Sequence, residues 1–341
     1  WTVDEPGRAI GSMLETLLDA PGLTPLHLSI LHLLHGNWLV ENRQYEAGLA
    51  AYLEADAHRP KDALNLRKQL GNAFYELSSR LLWPDTLTET VASEAGRQAA
   101  QRAVDYDPAN GSAWFNLGSA LDHLGQVEEA VPAYERAVEL EPRPRHYNSL
   151  GEAYDALERD DEAIAAYQKA VELDPTYPWP YHSLGQIYAQ HGDYPQALSY
   201  YQLAIDHHQN DRERAISWDG FGDAQMALAN YDEATSAYKW ATVLSPKYAP
   251  PWYGLGNAYR SQEQYPAAIE AYQKAIALDP DFPWAYHQLG LIYARQGRYS
   301  EAITEYRHAI GRHTNDAASA ASWHDLGDIY RAQARPPDAL E

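Results

Sequence analysis

The chain of 341 residues contains no cysteine. That excludes disulfides, thiolate metal sites and cysteine nucleophiles, and it is compatible with either the cytosol or the periplasm. Long apolar runs are missing too. None reaches the roughly 18 apolar residues that a spanning helix needs. The nearest, Leu26 to Val40, is interrupted by His27, His32, His35 and Asn37. No signal peptide is legible, and the first residue is Trp1 rather than Met, so a processed or trimmed N-terminus is expected. The compartment stays open, with the cytoplasm favoured. Cations are scarce: 26 Lys and Arg stand against 48 Asp and Glu, for a net charge of −22. Such a chain repels a phosphate backbone or an anionic membrane, so no nucleic-acid partner is expected. Phe is rare at 4 residues, whereas Tyr reaches 26.

What is present is a ladder. Gly118, Gly151, Gly185, Gly222, Gly256, Gly290 and Gly327 are separated by 33, 34, 37, 34, 34 and 37 residues. Each follows Leu or Phe, and five of the seven are followed three residues later by Tyr. Within Pro142 to Pro175, steps of three and four place Tyr147, Leu150 and Tyr154 on one helical face. Ala163, Tyr167 and Ala170 share another. Gly151 and Ala163 are expected to be small because two helices cross there. Pro175 ends the second helix, since proline lacks the N–H and disfavours helix in the residue before it. The grid recurs as Trp114, Leu117, Gly118, Ala130, Tyr134, Ala137 and Pro142, and as Trp252, Leu255, Gly256, Tyr259, Ala268, Tyr272, Ala275 and Pro280.

This pattern resembles the tetratricopeptide repeat, a helix–turn–helix unit of about 34 residues. The resemblance implies an all-α, right-handed superhelical α-solenoid of eight complete repeats and one half repeat. Residues 1–28 are expected to form an N-terminal capping helix, with Ile10, Met13, Leu14, Leu17 and Leu18 as its apolar face. Two divergent repeats are expected over 29–110, the second interrupted near 81–93 because Gly71 and Gly118 lie 47 residues apart. Its Ala100 stands where Tyr is usual. Six regular repeats follow over 111–319, then the first helix of a ninth over 320–341. A chain stopping at Glu341, with the face of Trp323 and Tyr330 uncovered, is expected to be a fragment of a longer protein.

A second periodicity is superimposed. Gly151 and Gly256, Gly185 and Gly290, and Gly222 and Gly327 are each 105 residues apart. A three-repeat block is thus duplicated. The extra residues of its long repeat, in Asp206 to Ala215 and again in Gly311 to Ala320, are expected to lengthen a connection between helices.

In the family, first helices line a concave groove. Mapped here, that groove comprises Lys68, Asn72, Tyr75, Phe115, Asn116, Arg145, Asn148, Glu152, Trp179, His182, Gln186, Asp219, Asp223, Tyr253, Asn257, Arg260, Trp284, His287 and Arg295. Relatives that grip a C-terminal carboxylate use Lys and Asn on successive repeats and a basic residue on the third. Lys68, Asn72, Asn116 and Arg145 match four of those five positions, and Ser149 departs from the fifth. Trp179 and Trp284 are either anchors for a partner or packing residues set against the preceding repeat.

No catalytic residue, metal site or cofactor is expected. His207 and His208 are neighbours that point apart on a helix, and neither His308 with Glu305 nor His313 with Ala309 completes a three-ligand set. No glycine-rich phosphate loop follows a strand. The expectation is a non-catalytic scaffold that binds a protein or peptide, either a basic segment or a free C-terminal carboxylate. The alternative is the sensor arm of a larger bacterial signalling or defence protein whose ATPase or effector domain lies outside these residues.

Overall fold

A computed structural model describes residues 5–82, 94–312 and 316–334. The described residues form helices and no strand. Two compact units divide the chain, residues 1–175 and residues 176–341. In the first, α1 (Glu5–Leu18) precedes four helix pairs: α2 (Pro25–Glu41) with α3 (Tyr45–Ala57), α4 (Leu64–Leu82) with α5 (Glu94–Tyr106), α6 (Gly111–His123) with α7 (Val127–Leu140), and α8 (Pro144–Ala156) with α9 (Asp160–Leu173). The second holds α10 (Pro178–Gln190) with α11 (Tyr194–His207) and α12 (Asp211–Ala227) with α13 (Tyr231–Leu244). It continues with α14 (Ala249–Ser261) and α15 (Tyr265–Leu278), α16 (Pro283–Arg295) and α17 (Tyr299–Ile310), and then α18 (Asp316–Ala334). The expected insertion lies outside the described residues over 83–93, as does the end of the expected ninth repeat over 335–341.

Local chemistry sets the helix ends. Pro144, Pro178 and Pro283 open α8, α10 and α16, where the missing N–H is one no helix would satisfy internally. Asn110 caps α6, its Oδ1 accepting from the Ala113 N–H at 3.0 Å. The turn inside each regular pair needs one left-handed residue. Gly125, Gly192 and Gly297 supply it at φ of 75°, 78° and 73°, and Glu158, Ala229 and Glu263 adopt the same conformation at φ of 57°, 60° and 60°.

The ladder glycines are explained by rings. A methyl placed on Gly118, Gly151, Gly222, Gly256 or Gly290 would lie 2.7, 2.6, 2.6, 2.5 or 2.6 Å from the ring of Tyr134, Tyr167, Tyr238, Tyr272 or Tyr306. Gly36 stands in the same relation to Tyr52, and Gly185 to Tyr201. In every pair the tyrosine sits 16 residues after the glycine, on the second helix. All seven of these tyrosines are at most 3% exposed. The glycine therefore admits a phenol ring from its own pair; the helix crossing at Ala163 is a lesser reason for its size. Each buried ring stabilises the stack by roughly 2–3 kcal/mol. Tyr201 and Tyr238 are also approached by the next pair, through Gly220 and Gly254. In the divergent second pair, Ala100 occupies the tyrosine position, and Gly71 instead meets Tyr106, whose ring stacks on Phe74 at 6.0 Å.

Two expectations change. α1 turns Gly11 against the Trp38 ring and buries Leu14, while Ile10, Met13 and Leu17 are exposed. The contact face runs through Gly11 and Leu14, so the expected apolar stripe is covered only in part. Residues 25–28, assigned to the cap from sequence, belong to α2, whose start is fixed by a Thr24 capping box. The extra residues of the long repeats also do something else. α12 and α18 begin four residues earlier, relative to their ladder glycines, than the 13-residue α10 and α16. The addition is thus an extra helical turn, held at α12 by Asn210 accepting from the Arg212 N–H at 2.8 Å.

Gly256→Ala should lower stability by about 1–3 kcal/mol in thermal or urea unfolding, because Tyr272 has nowhere to retreat. Gly327→Ala, with nothing within 4 Å among the described residues, should be neutral or stabilising by up to about 1 kcal/mol. Equal losses at both sites would refute the ring explanation. Ala229→Gly should add about 1 kcal/mol by relieving its left-handed backbone.

Candidate functional site

The first helices of the 1–175 unit carry the N-terminal part of the expected groove. Lys68 and Asn72 are exposed on α4 and Tyr75 is half-buried. Asn72 helps line a cleft of about 290 Å³ between α2 and α4, together with Leu33, Leu34, Asn37, Gln69 and Glu76. Asn116 is not open to a ligand. It is 4% exposed, and its Nδ2 donates to Ser78 Oγ at 3.0 Å and Ser79 Oγ at 2.8 Å, bracing α6 to α4. Phe115 is also interior, stacked on His146 at 4.5 Å and covered by the Arg145 guanidinium at 5.1 Å. The structure therefore does not bring the four clamp-like residues together as donors. Lys68, Asn72 and the exposed Arg145 face outward, while the amide of Asn116 is engaged inside.

On α8, Asn148 is buried and its Nδ2 donates to Glu152 Oε1 at 2.9 Å. The carboxyl of Glu152 is held above the usual range by desolvation, with the charge of Asp122 adding to the shift. Desolvation raises Asp122 as well. Asp122 was not among the residues expected from sequence, because on the linear chain it reads as one more acid near a helix end.

In the 176–341 unit, two of the expected ligand residues are cross-braces. His182 Nδ1 shares a hydrogen bond with Ser217 Oγ at 3.1 Å, joining α10 to α12. His287 and Ser322 repeat the arrangement between α16 and α18 at 2.9 Å. Both histidines are under 9% exposed. Burial, with His208 alongside, pushes the His182 imidazole down to about 4, so it is neutral near pH 7. Trp179 is half-buried and meets His182 and His208 edge-on at 5.9 and 5.0 Å, contacts made within its own pair. Its duplicate Trp284 is 42% exposed. The duplicated tryptophans therefore have different surroundings.

The remaining expected residues divide the same way. Gln186 is exposed, and Tyr253 and Arg260 are half-buried. Asn257 accepts from the Tyr272 hydroxyl at 2.7 Å. Asp223 accepts from Tyr238 at 2.6 Å and Asn37 from Tyr52 at 2.8 Å. Each acceptor directly follows the glycine that its tyrosine ring abuts, so the ring that enters the glycine notch delivers its hydroxyl to the next residue of the first helix. Asp219, one turn before Asp223, is half-buried, and Tyr248 donates to it at 3.5 Å. Its carboxyl is pushed well above the usual range by desolvation and then by the charge of Asp223; desolvation raises Asp223 too. Asp223 is exposed as a residue, with one carboxyl oxygen engaged by the Tyr238 hydroxyl. A 15-residue spacing from polar residue to tyrosine, and a 35-residue spacing from histidine to serine, are the sequence signals that would have revealed these contacts.

Residues 151–192 and 256–297 match a family model described as TPR repeat. Three models of the tetratricopeptide repeat match residues 281–341, 93–143 and 181–215. No curated protein sequence matches the chain. Among solved structures, the chain resembles the Cut9–Hcn1 hetero-tetramer of the APC/C with a TM-score of 0.57 and 16% identity, over 94% of this chain and 81% of that one. A tetratricopeptide repeat protein from Parabacteroides merdae gives 0.55 at 16% identity, over 75% of this chain and 99% of the other. The C-terminal part of a TPR repeat-containing protein from Cytophaga hutchinsonii gives 0.53 at 16% identity, over 74% and 97%. These likenesses show the fold. Together with the repeat matches, they establish that the chain belongs to the tetratricopeptide repeat family, whose helix pairs are typically non-catalytic scaffolds for protein interaction.

Proposed function

We propose that the first-helix faces bind a protein or peptide segment, and that in the 176–341 unit this segment is basic. The observation that carries the reading is the Asp219–Asp223 pair. Two carboxylates one helical turn apart repel each other, and desolvation between tyrosines makes both harder to ionise. Such a pair opposes folding at neutral pH. A lysine or arginine side chain from a partner would relieve both the repulsion and the lost hydration. The net charge of −22 favours the same encounter and makes its rate fall with salt.

The sign of the pH effect follows from the raised carboxyl of Asp219. Above its folded pKa the native state holds a charge that is easier to hold in the unfolded chain, so stability is reduced. As pH falls through that pKa toward the ordinary 3.8, the native state takes up the proton first and stability is recovered. Asp219→Asn should therefore raise the Tm at pH 7 by about 2–4 °C, as roughly 1 kcal/mol does in a domain of this size. The advantage should shrink on acidification. The same variant should weaken binding of Lys/Arg-rich peptides.

A library of internal and C-terminal peptides screened on the full chain, with affinities from fluorescence anisotropy, tests the proposal. Enrichment of basic segments, loss of affinity with salt and loss in Asp219→Asn support it. Absence of basic enrichment, or an Asp219→Asn chain that binds as well as the parent, would sink it. Amidating the C-terminus of a selected peptide separates the two modes: undiminished affinity favours side-chain cations, and a large loss favours carboxylate capture around Lys68, Asn72 and Arg145.

A further inference from the structure

We infer that the first helix pair carries a binding site for a divalent transition metal, formed by His32 on α2 with Glu54 and His58 on α3. One ligand atom from each lies within 4.8 Å of the other two. Glu54 and His58 are four residues apart, so α3 presents them on one face, with His58 Nε2 at 3.7 Å from Glu54 Oε2. His32 arrives from the partner helix, its ring stacked on that of His58 at 5.8 Å and 8°. Two imidazole nitrogens and one carboxylate form a zinc donor set that keeps a coordination position for water. The alternatives in the Irving–Williams series are Co²⁺, Ni²⁺ and Cu²⁺.

Closing the set around zinc needs donors about 3.4 Å apart, given Zn–N distances of roughly 2.0–2.1 Å. The adjustment is small and accessible. Glu54 is exposed, and His32 and His58 are half-buried, so their side chains have room to turn toward a shared ion. Reading one helix at a time excluded such a site, because His32 lies on a different helix from the other two ligands. A bound ion would add to the polar ties between α2 and α3, which include Ser29 Oγ to the Ala55 carbonyl and the Tyr52 hydroxyl to Asn37.

The test uses the full chain, stripped of metal with a chelator. A His324→Ala background removes the second group, His324, Asp325 and Asp328, that could also take an ion. Calorimetric titration should show one Zn²⁺ per chain. Co²⁺ should give visible d–d absorption, and Zn²⁺ should raise the Tm. His32→Gln and His58→Gln should each lose at least the roughly 10–100-fold in affinity that even outer-shell partners command, and should abolish the Tm shift. Glu54→Gln should weaken binding without abolishing it. Unchanged circular dichroism in these variants, all at partly exposed positions, assigns the loss to the ligands. Zn²⁺ affinity unaffected by both histidine variants, or no saturable binding below millimolar concentration, would overturn the inference.

Discussion

A phenol ring laid against the bare backbone of a glycine is the contact on which this molecule depends. The ring needs room that no other residue leaves, and the first helix can come close only where a side chain is missing. Every described pair but α4–α5 answers both demands with one glycine and one tyrosine 16 residues apart. Tyr238 shows the contact most fully, held between Gly222 of its own pair and Gly254 of the next. Replacing the ring with an aliphatic side chain would remove both the flat surface that fits this space and the hydroxyl that leaves it.

That hydroxyl links the core to the first helix of the pair. Tyr52, Tyr238 and Tyr272 donate to Asn37, Asp223 and Asn257, which stand among or beside the groove positions expected from sequence. A residue at such a position is thus fixed as the acceptor for a buried phenol. The hydrogen bond from Tyr238 pulls the Asp223 carboxyl back toward ionisation while desolvation pushes it the other way. Asp219 has the longer contact, from the Tyr248 hydroxyl, and is the less firmly held of the two carboxyls.

The repeat itself was legible because its signal is local. Glycine, tyrosine and proline recur at fixed separations, and helix pairs follow from them without knowledge of any distant contact. The exposure of groove residues was not legible, because it is decided across pairs. Asn116 lies 38 and 37 residues from the serines that bind its amide, and His182 lies 35 from Ser217. Nothing in their own helices distinguishes them from Gln186 or Asn72, which are exposed. The apolar stripe of α1 is covered only in part for a related reason: Gly11 facing Trp38 sets the packed side, which takes in Leu14 and leaves Ile10, Met13 and Leu17 exposed. The long repeats read as extended connections because polar residues suit a loop and a solvated helical turn alike.

One property of the glycine notch extends beyond stability. Each ladder glycine and the tyrosine 16 residues after it belong to the same pair, so that notch travels with the ring that fills it. Copying a run of whole pairs therefore creates neither an empty hollow nor a displaced ring, and only the two junctions must be made compatible. The block that recurs after 105 residues is such a copy, with its His–Ser brace reproduced intact at both ends of the interval. Around the rings the copies differ, with His324 in the place of Asp219 and the half-buried Asp325 in the place of Gly220, the second glycine set against Tyr201. An architecture sealed pair by pair can thus grow by duplication and vary around its rings, while the ladder glycine and its own tyrosine are kept.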